Sequence, residues 1–269
     1  MVSGRARSTR ARRAELSQHF LRDASASRLV QATSISKSDL IVEIGSGRGA
    51  LTKPVLKRAG RLIAVELDRY LVEKLRQRFG DDADVIESDF LDFALPSEDY
   101  SVIGNIPYSK STEIIRKISE ASYPPLDAWL VVQRELASRM CGLPFSNESL
   151  WSLRLKPLWH LEIVDRLRKT EFDPPPSVDS VFLHMSLRGR ALIDSSELDS
   201  YLDLIKGTFQ NNRPVVQSLR RVLTKRQIRR LALDLRFAND QLPNSLMFEQ
   251  WLGIFRFIQR DAATKVSKD

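Results

Sequence analysis

From Leu40 onward, short apolar runs rich in β-branched residues alternate with longer segments in which apolar residues recur at helical spacing. The runs are LIVEI (40–44), RLIAV (61–65), ADVI (83–86), YSVIG (100–104) and AWLVV (128–132). Continuous apolar runs of this length suit strands buried on both faces. Between two of them, 70–79 places Leu71, Leu75 and Phe79 along one helical stripe and leaves charges elsewhere. Strand and helix in alternation predict an α/β fold, a parallel sheet covered by helices on both faces. SVFLHMSL (180–187) predicts the last strand of this domain, which then spans 15–187. Beyond a polar joint, 198–209, 215–223, 227–235 and 246–258 read as helices, a small helical domain over 188–269. Thr224 followed by Gln227 predicts a capping box at the start of the third helix.

Charge narrows the partners. Lys and Arg number 42 against 34 Asp and Glu, a formal net charge of +8, which points to a polyanion or an anionic membrane surface. Residues 1–14 carry five arginines (Arg5, Arg7, Arg10, Arg12, Arg13) and no acid, and read as a flexible basic arm. A second basic run holds eight cations and no acid: Lys206, Arg213, Arg220, Arg221, Lys225, Arg226, Arg229 and Arg230. In it, Leu219, Val222, Leu223, Ile228 and Leu231 are expected to face inward. The single cysteine, Cys141, excludes an intramolecular disulfide, and His19, His160 and His184 lack metal-ligand spacing, so no metal is expected. No apolar stretch approaches the ~20 residues of a membrane span, which disfavours export and insertion and suits a cytoplasmic monomer.

The first predicted strand runs into Glu43-Ile44-Gly45-Ser46-Gly47-Arg48-Gly49. Glycines there let the backbone turn sharply and approach a ligand. The turn suits a nucleotide-like molecule, although GSGRG departs from the dinucleotide fingerprint and no Walker lysine follows. The second strand ends at Glu66, a candidate acceptor for ribose hydroxyls, with Asp68 placed to cap the next helix. The third ends at Ser88-Asp89-Phe90, where Asp89 can accept from an exocyclic adenine amine or cap its own turn. The fourth ends in Gly104-Asn105-Ile106-Pro107-Tyr108, a stiff turn that directs the Asn105 side chain and neighbouring carbonyls at a cleft.

NIPY (105–108), EIGSGRG (43–49) and SQHFL (17–21) together resemble the rRNA adenine N6-methyltransferases, above all the erythromycin-resistance (Erm) family that modifies 23S rRNA. NIPY followed by Ser-Lys-Ser-Thr is more similar to that family than to the small-subunit rRNA dimethyltransferases, where NLPYN is usual. The resemblance implies a Rossmann-like, S-adenosylmethionine-dependent fold with a helical RNA-binding tail, ribosomal RNA as partner, and macrolide-type resistance. It assigns His19 and Leu21 to the cofactor-proximal N-terminal segment, Gly45 to the methionine end, Glu66 to ribose, Asp89 to the cofactor adenine and Asn105 to the transfer site. His19 stands where Asn is common in the family. The segment 172–180, FDPPPSVDS, resembles the family's F-x-P-x-P-x-V-x-S, which implies that Phe172, with Tyr108, stacks on the extruded base. The expected acceptors for the target amine are the Asn105 side chain and the Pro107 carbonyl. A small-subunit rRNA enzyme and a non-catalytic nucleic-acid-binding relative are the alternatives.

Overall fold

The computed structural model describes residues 19–210 and 213–266, so the arm expected over 1–14 lies outside the described residues. The strands are β1 (Phe20–Leu21), β2 (Leu40–Ile44), β3 (Arg61–Glu66), β4 (Asp84–Glu87), β5 (Ser101–Asn105), β6 (Asp127–Gln133), β7 (Trp159–Leu167), β8 (Phe172–Asp173) and β9 (Ser180–Leu187). Seven of them form one sheet in the order β4-β3-β2-β5-β6-β9-β7, and β1 pairs antiparallel with β8 in a separate two-stranded ladder. From β4 to β6 neighbouring strands are parallel, and β9 runs antiparallel to β6. Every residue of β2 is buried, as expected for a strand packed on both faces.

The strand order reverses between β2 and β5, so the turns leaving those strands diverge and open a crevice at the carboxyl edge. After β2 comes α1 (Thr52–Leu56), whose Pro54 sits in a first turn that has no intrahelical acceptors for its N–H groups. After β3 comes α2 (Arg69–Phe79), capped as expected by the Asp68 carboxylate, which accepts from the Tyr70 N–H at 2.9 Å. The helix α3 (Ser111–Ser119) follows β5; the Ser111 hydroxyl does not cap it but donates back to the Pro107 carbonyl. Leu29, Ile41, Leu62, Ile103, Trp129, Phe172 and Phe182 belong to one core cluster of this layer.

The chain divides into two compact units, one running through Ala137 and including His160–Leu187, the other made of Ser138–Trp159 and the residues from Arg188 onward. This differs from the continuous 15–187 domain expected from sequence, because 138–159 joins the C-terminal helices. Leu153 packs in their core with Tyr201, Leu219, Leu231 and Trp251, and the Tyr201 hydroxyl donates to the Leu153 carbonyl. The Glu148 N–H donates to the Asn244 carbonyl at 2.8 Å. In this unit α4 (Lys225–Asp234) carries the predicted capping box between Thr224 and Gln227. Leu219, Leu223, Ile228 and Leu231 are buried as expected, whereas Val222 is 50% exposed.

Candidate active site

The turns leaving β2, β3, β4 and β5 border a cavity of about 230 Å³. Of the residues singled out from sequence, His19, Gly45, Glu66, Asp89, Asn105, Pro107 and Tyr108 line it. Gly45 has φ +65°, and a Cβ built there meets no atom within 4 Å. Glu66, 5% exposed, accepts the Gly47 N–H at one carboxylate oxygen and the Asp68 N–H at the other, each at 2.8 Å. Burial raises its carboxyl above the ordinary range, and these backbone donors oppose the rise. With the Leu67 N–H, three backbone donors approach a carboxylate that offers about four lone-pair sites, which leaves room for a further hydroxyl. Asp89, half-buried, accepts the Leu91 N–H at 2.9 Å, so it caps its own turn and lines the cavity at once.

Behind the glycine turn, Glu43 is 1% exposed and accepts the Thr52 hydroxyl at 2.7 Å. Burial pushes its carboxyl from 4.5 to about 8, against the pull of that hydroxyl.

The Asn105 amide nitrogen donates to the His19 carbonyl at 2.6 Å. That bond orients the amide, because the nitrogen must be the atom facing the carbonyl, and its oxygen is left as an acceptor. The His19 ring nitrogen Nδ1 lies 2.9 Å from the Pro174 carbonyl and so carries the proton there, and the ring stacks on Tyr108 with centroids 5.8 Å apart. Tyr108, in a 3-10 turn after Pro107, has its hydroxyl 2.6 Å from that of Ser180. Burial raises the Tyr108 hydroxyl above its ordinary range, against the Ser180 hydrogen bond.

Three expectations change. The Pro107 carbonyl already accepts the Lys110 N–H and the Ser111 hydroxyl, each at 3.0 Å, which fills both of its lone pairs. It is therefore not available to a substrate amine, whereas the Ile106 carbonyl has no partner among the described residues. Phe172 is fully buried in the core and pairs with Leu21 in the β1–β8 ladder, so its ring has no face to offer a base. Leu21, 6% exposed, packs in that core and is not part of the cavity wall. In its place Phe20 lines the cavity, with the Arg48 guanidinium 4.3 Å from its ring centroid. Alternation along the short β1 would have indicated it, since successive residues of a strand face opposite sides.

Among the described residues no group of three or more His, Cys, Asp or Glu is placed to hold a metal ion, and no helix is long and apolar enough to cross a membrane.

Comparison with known proteins agrees with this geometry. Residues 9–260 match the family described as ribosomal RNA adenine dimethylase. An rRNA adenine N-6-methyltransferase of Streptomyces fradiae is 33% identical over 93% of this chain and 79% of its own length. A ribosomal RNA small subunit methyltransferase A of Cupriavidus pinatubonensis is 33% identical over 77% of this chain and 79% of its own length. The solved structure of the 23S rRNA methyltransferase ErmE superposes with a TM-score of 0.83 at 25% identity, covering 89% of this chain and 99% of that one. A glycine turn, two acids and an Asn-Ile-Pro-Tyr turn around one cavity, together with these matches, place the chain in the ribosomal RNA adenine dimethylase family of S-adenosylmethionine-dependent rRNA adenine N6-methyltransferases.

Proposed function

We propose that this enzyme methylates N6 of an adenine in 23S rRNA, in the cytoplasm, and thereby confers macrolide-type resistance. The observation that carries the reading is the position of Asn105–Tyr108 in the wall of the cavity that also holds Glu66 and Asp89. Support for 23S rather than small-subunit rRNA comes from the likeness to the solved 23S rRNA methyltransferase ErmE. The small-subunit reading retains the Cupriavidus pinatubonensis match in its favour.

The residues fit S-adenosylmethionine. Open space over Gly45 would admit the methionine end, the carboxylate of Glu66 would suit ribose hydroxyls, and Asp89 would suit the exocyclic amine of the cofactor's adenine; Phe90 lines the same cavity. When bound, the cofactor supplies an electrophilic methyl on a sulfonium sulfur. His19 contributes its backbone carbonyl to Asn105, and Leu21 supports the segment from behind.

An adenine amine is a poor nucleophile because its lone pair is delocalised into the ring. Asn105 Oδ1 and the Ile106 carbonyl accept its two N–H hydrogens and favour a pyramidal nitrogen with a localised lone pair. Tyr108 holds the base. The methylated amine is transiently cationic and releases its proton to solvent, so none of these residues has to act as a general base; positioning dominates, and the target adenine must leave its stack to enter.

Full-length protein, deproteinised ribosomal RNA and labelled S-adenosylmethionine test the reading, with reverse-transcription stops mapped on both large- and small-subunit RNA. A stop confined to 23S RNA that is absent for Asn105→Ala is the expected result. A stop on small-subunit RNA alone transfers the assignment to that substrate, and no label in any RNA favours a non-catalytic binder.

A further inference from the structure

We propose that Ser180 is a positioning residue for methyl transfer, its hydroxyl holding the Tyr108 ring in the attitude that receives the target base. The proposal rests on the reading of Tyr108 as the ring that holds that base. Ser180 opens β9 opposite Gln133 of β6 and is 2% exposed. Its Oγ lies 2.6 Å from the Tyr108 hydroxyl, at the short end of the range for two hydroxyls. Among the described residues this hydroxyl has no other partner. A polar group buried in a core position costs stability unless it is hydrogen-bonded, and alanine would fill the same place without that demand.

The tie is long in sequence and short in space, joining the turn after β5 to a strand 72 residues later. Tyr108 sits in a 3-10 turn, so the backbone fixes only the root of its side chain. The ring is gripped at its far end by Ser180 and stacked by His19 at an interplanar angle of 27°. Those two contacts limit swing and tilt, the two motions that would move a stacked adenine away from Asn105. Ser180 is not part of the cavity wall, so it acts through Tyr108. It is also the terminal serine of FDPPPSVDS, whose Phe172 is buried in the core, so the same segment supplies core and clamp.

The test measures kcat, KM for deproteinised ribosomal RNA, the dissociation constant for S-adenosylmethionine and the melting temperature, using full-length Ser180→Ala, Tyr108→Phe and the double variant. The expected result is a kcat lowered about ten-fold in each single variant, within the ~10²-fold that a 1 Å misplacement produces. KM and cofactor affinity should stay within about two-fold, and the double variant should be no worse than either single one. Full kcat in Ser180→Ala overturns the proposal, as do losses that multiply in the double variant. If Ser180→Ala is unstable, Tyr108→Phe carries the test, and wild-type kcat there overturns it equally. Tyr108→Ala separates the two layers: wild-type turnover in it removes the base-holding reading, whereas its loss beside an intact Ser180→Ala removes only the role of Ser180.

Discussion

Glu43 shows how one buried acid couples the glycine turn to pH. Its carboxyl is raised from 4.5 to about 8 by burial, so between those values the folded protein holds a proton that the unfolded chain releases. Its contribution is fully present below 4.5 and is lost as pH climbs through about 8, which makes stability fall with rising pH across that window. Glu43→Gln keeps an acceptor for the Thr52 hydroxyl and removes the titration. Urea unfolding at pH 5 and pH 8 should therefore show a smaller loss in the variant than in the parent, and an identical loss would disprove the coupling. At this scale the sequence was legible where a residue follows directly from its strand: Glu66, Asp89 and Asn105 stand at the carboxyl ends of parallel strands, and all line the cavity. It misled for Phe172 and Pro107, because burial and competing donors come from residues distant in the chain or from the next turn.

Among the elements, the β2–α1 turn separates conformational cost from steric cost. Gly49 has φ +78°, and a Cβ there would lie 2.6 Å from Cε2 of Phe79 at the end of α2, whereas a Cβ at Gly45 meets nothing within 4 Å. Gly45→Ala should cost about 1–2 kcal/mol from backbone conformation alone. Gly49→Ala adds overpacking against a ring, typically ~1–3 kcal/mol more. Urea midpoints for the two variants check this, and equal losses would mean that Phe79 yields freely. Helices with strong caps were readable, as Asp68 and Thr224 show, since a cap is chemistry within four residues. β7 was not anticipated. It lies at the sheet edge with most of its residues partly or fully exposed, so Trp-His-Leu-Glu-Ile-Val-Asp-Arg-Leu lacks the continuous apolar run of a central strand.

For the whole molecule, the run from Lys206 to Arg230 carries eight cations and no acid in a chain whose formal net charge is +8. All eight cations of the run from Lys206 to Arg230 are exposed. Lys206 pairs with Asp203 and Arg230 with Asp234; the other six have no ion-pair partner among the described residues. We propose that this face of the helical unit grips phosphates with little base readout. Replacing Arg220 and Arg221 together by alanine should lower the slope of log affinity against log salt by about 1.5, since each neutralised phosphate contributes ~0.7–0.9. An unchanged slope in a filter-binding titration would exclude the pair from the interface. By itself the sequence determined the α/β layer, the glycine turn and the acids at the strand ends, because periodicity, turn chemistry and strand-end position are local properties. Only the tertiary structure decided that Ser138–Trp159 joins the helical unit, that Phe172 is core and that Ser180 reaches Tyr108. Each of those facts depends on which distant residues arrive to share a core, bury a ring or meet a hydroxyl, and no local pattern encodes that.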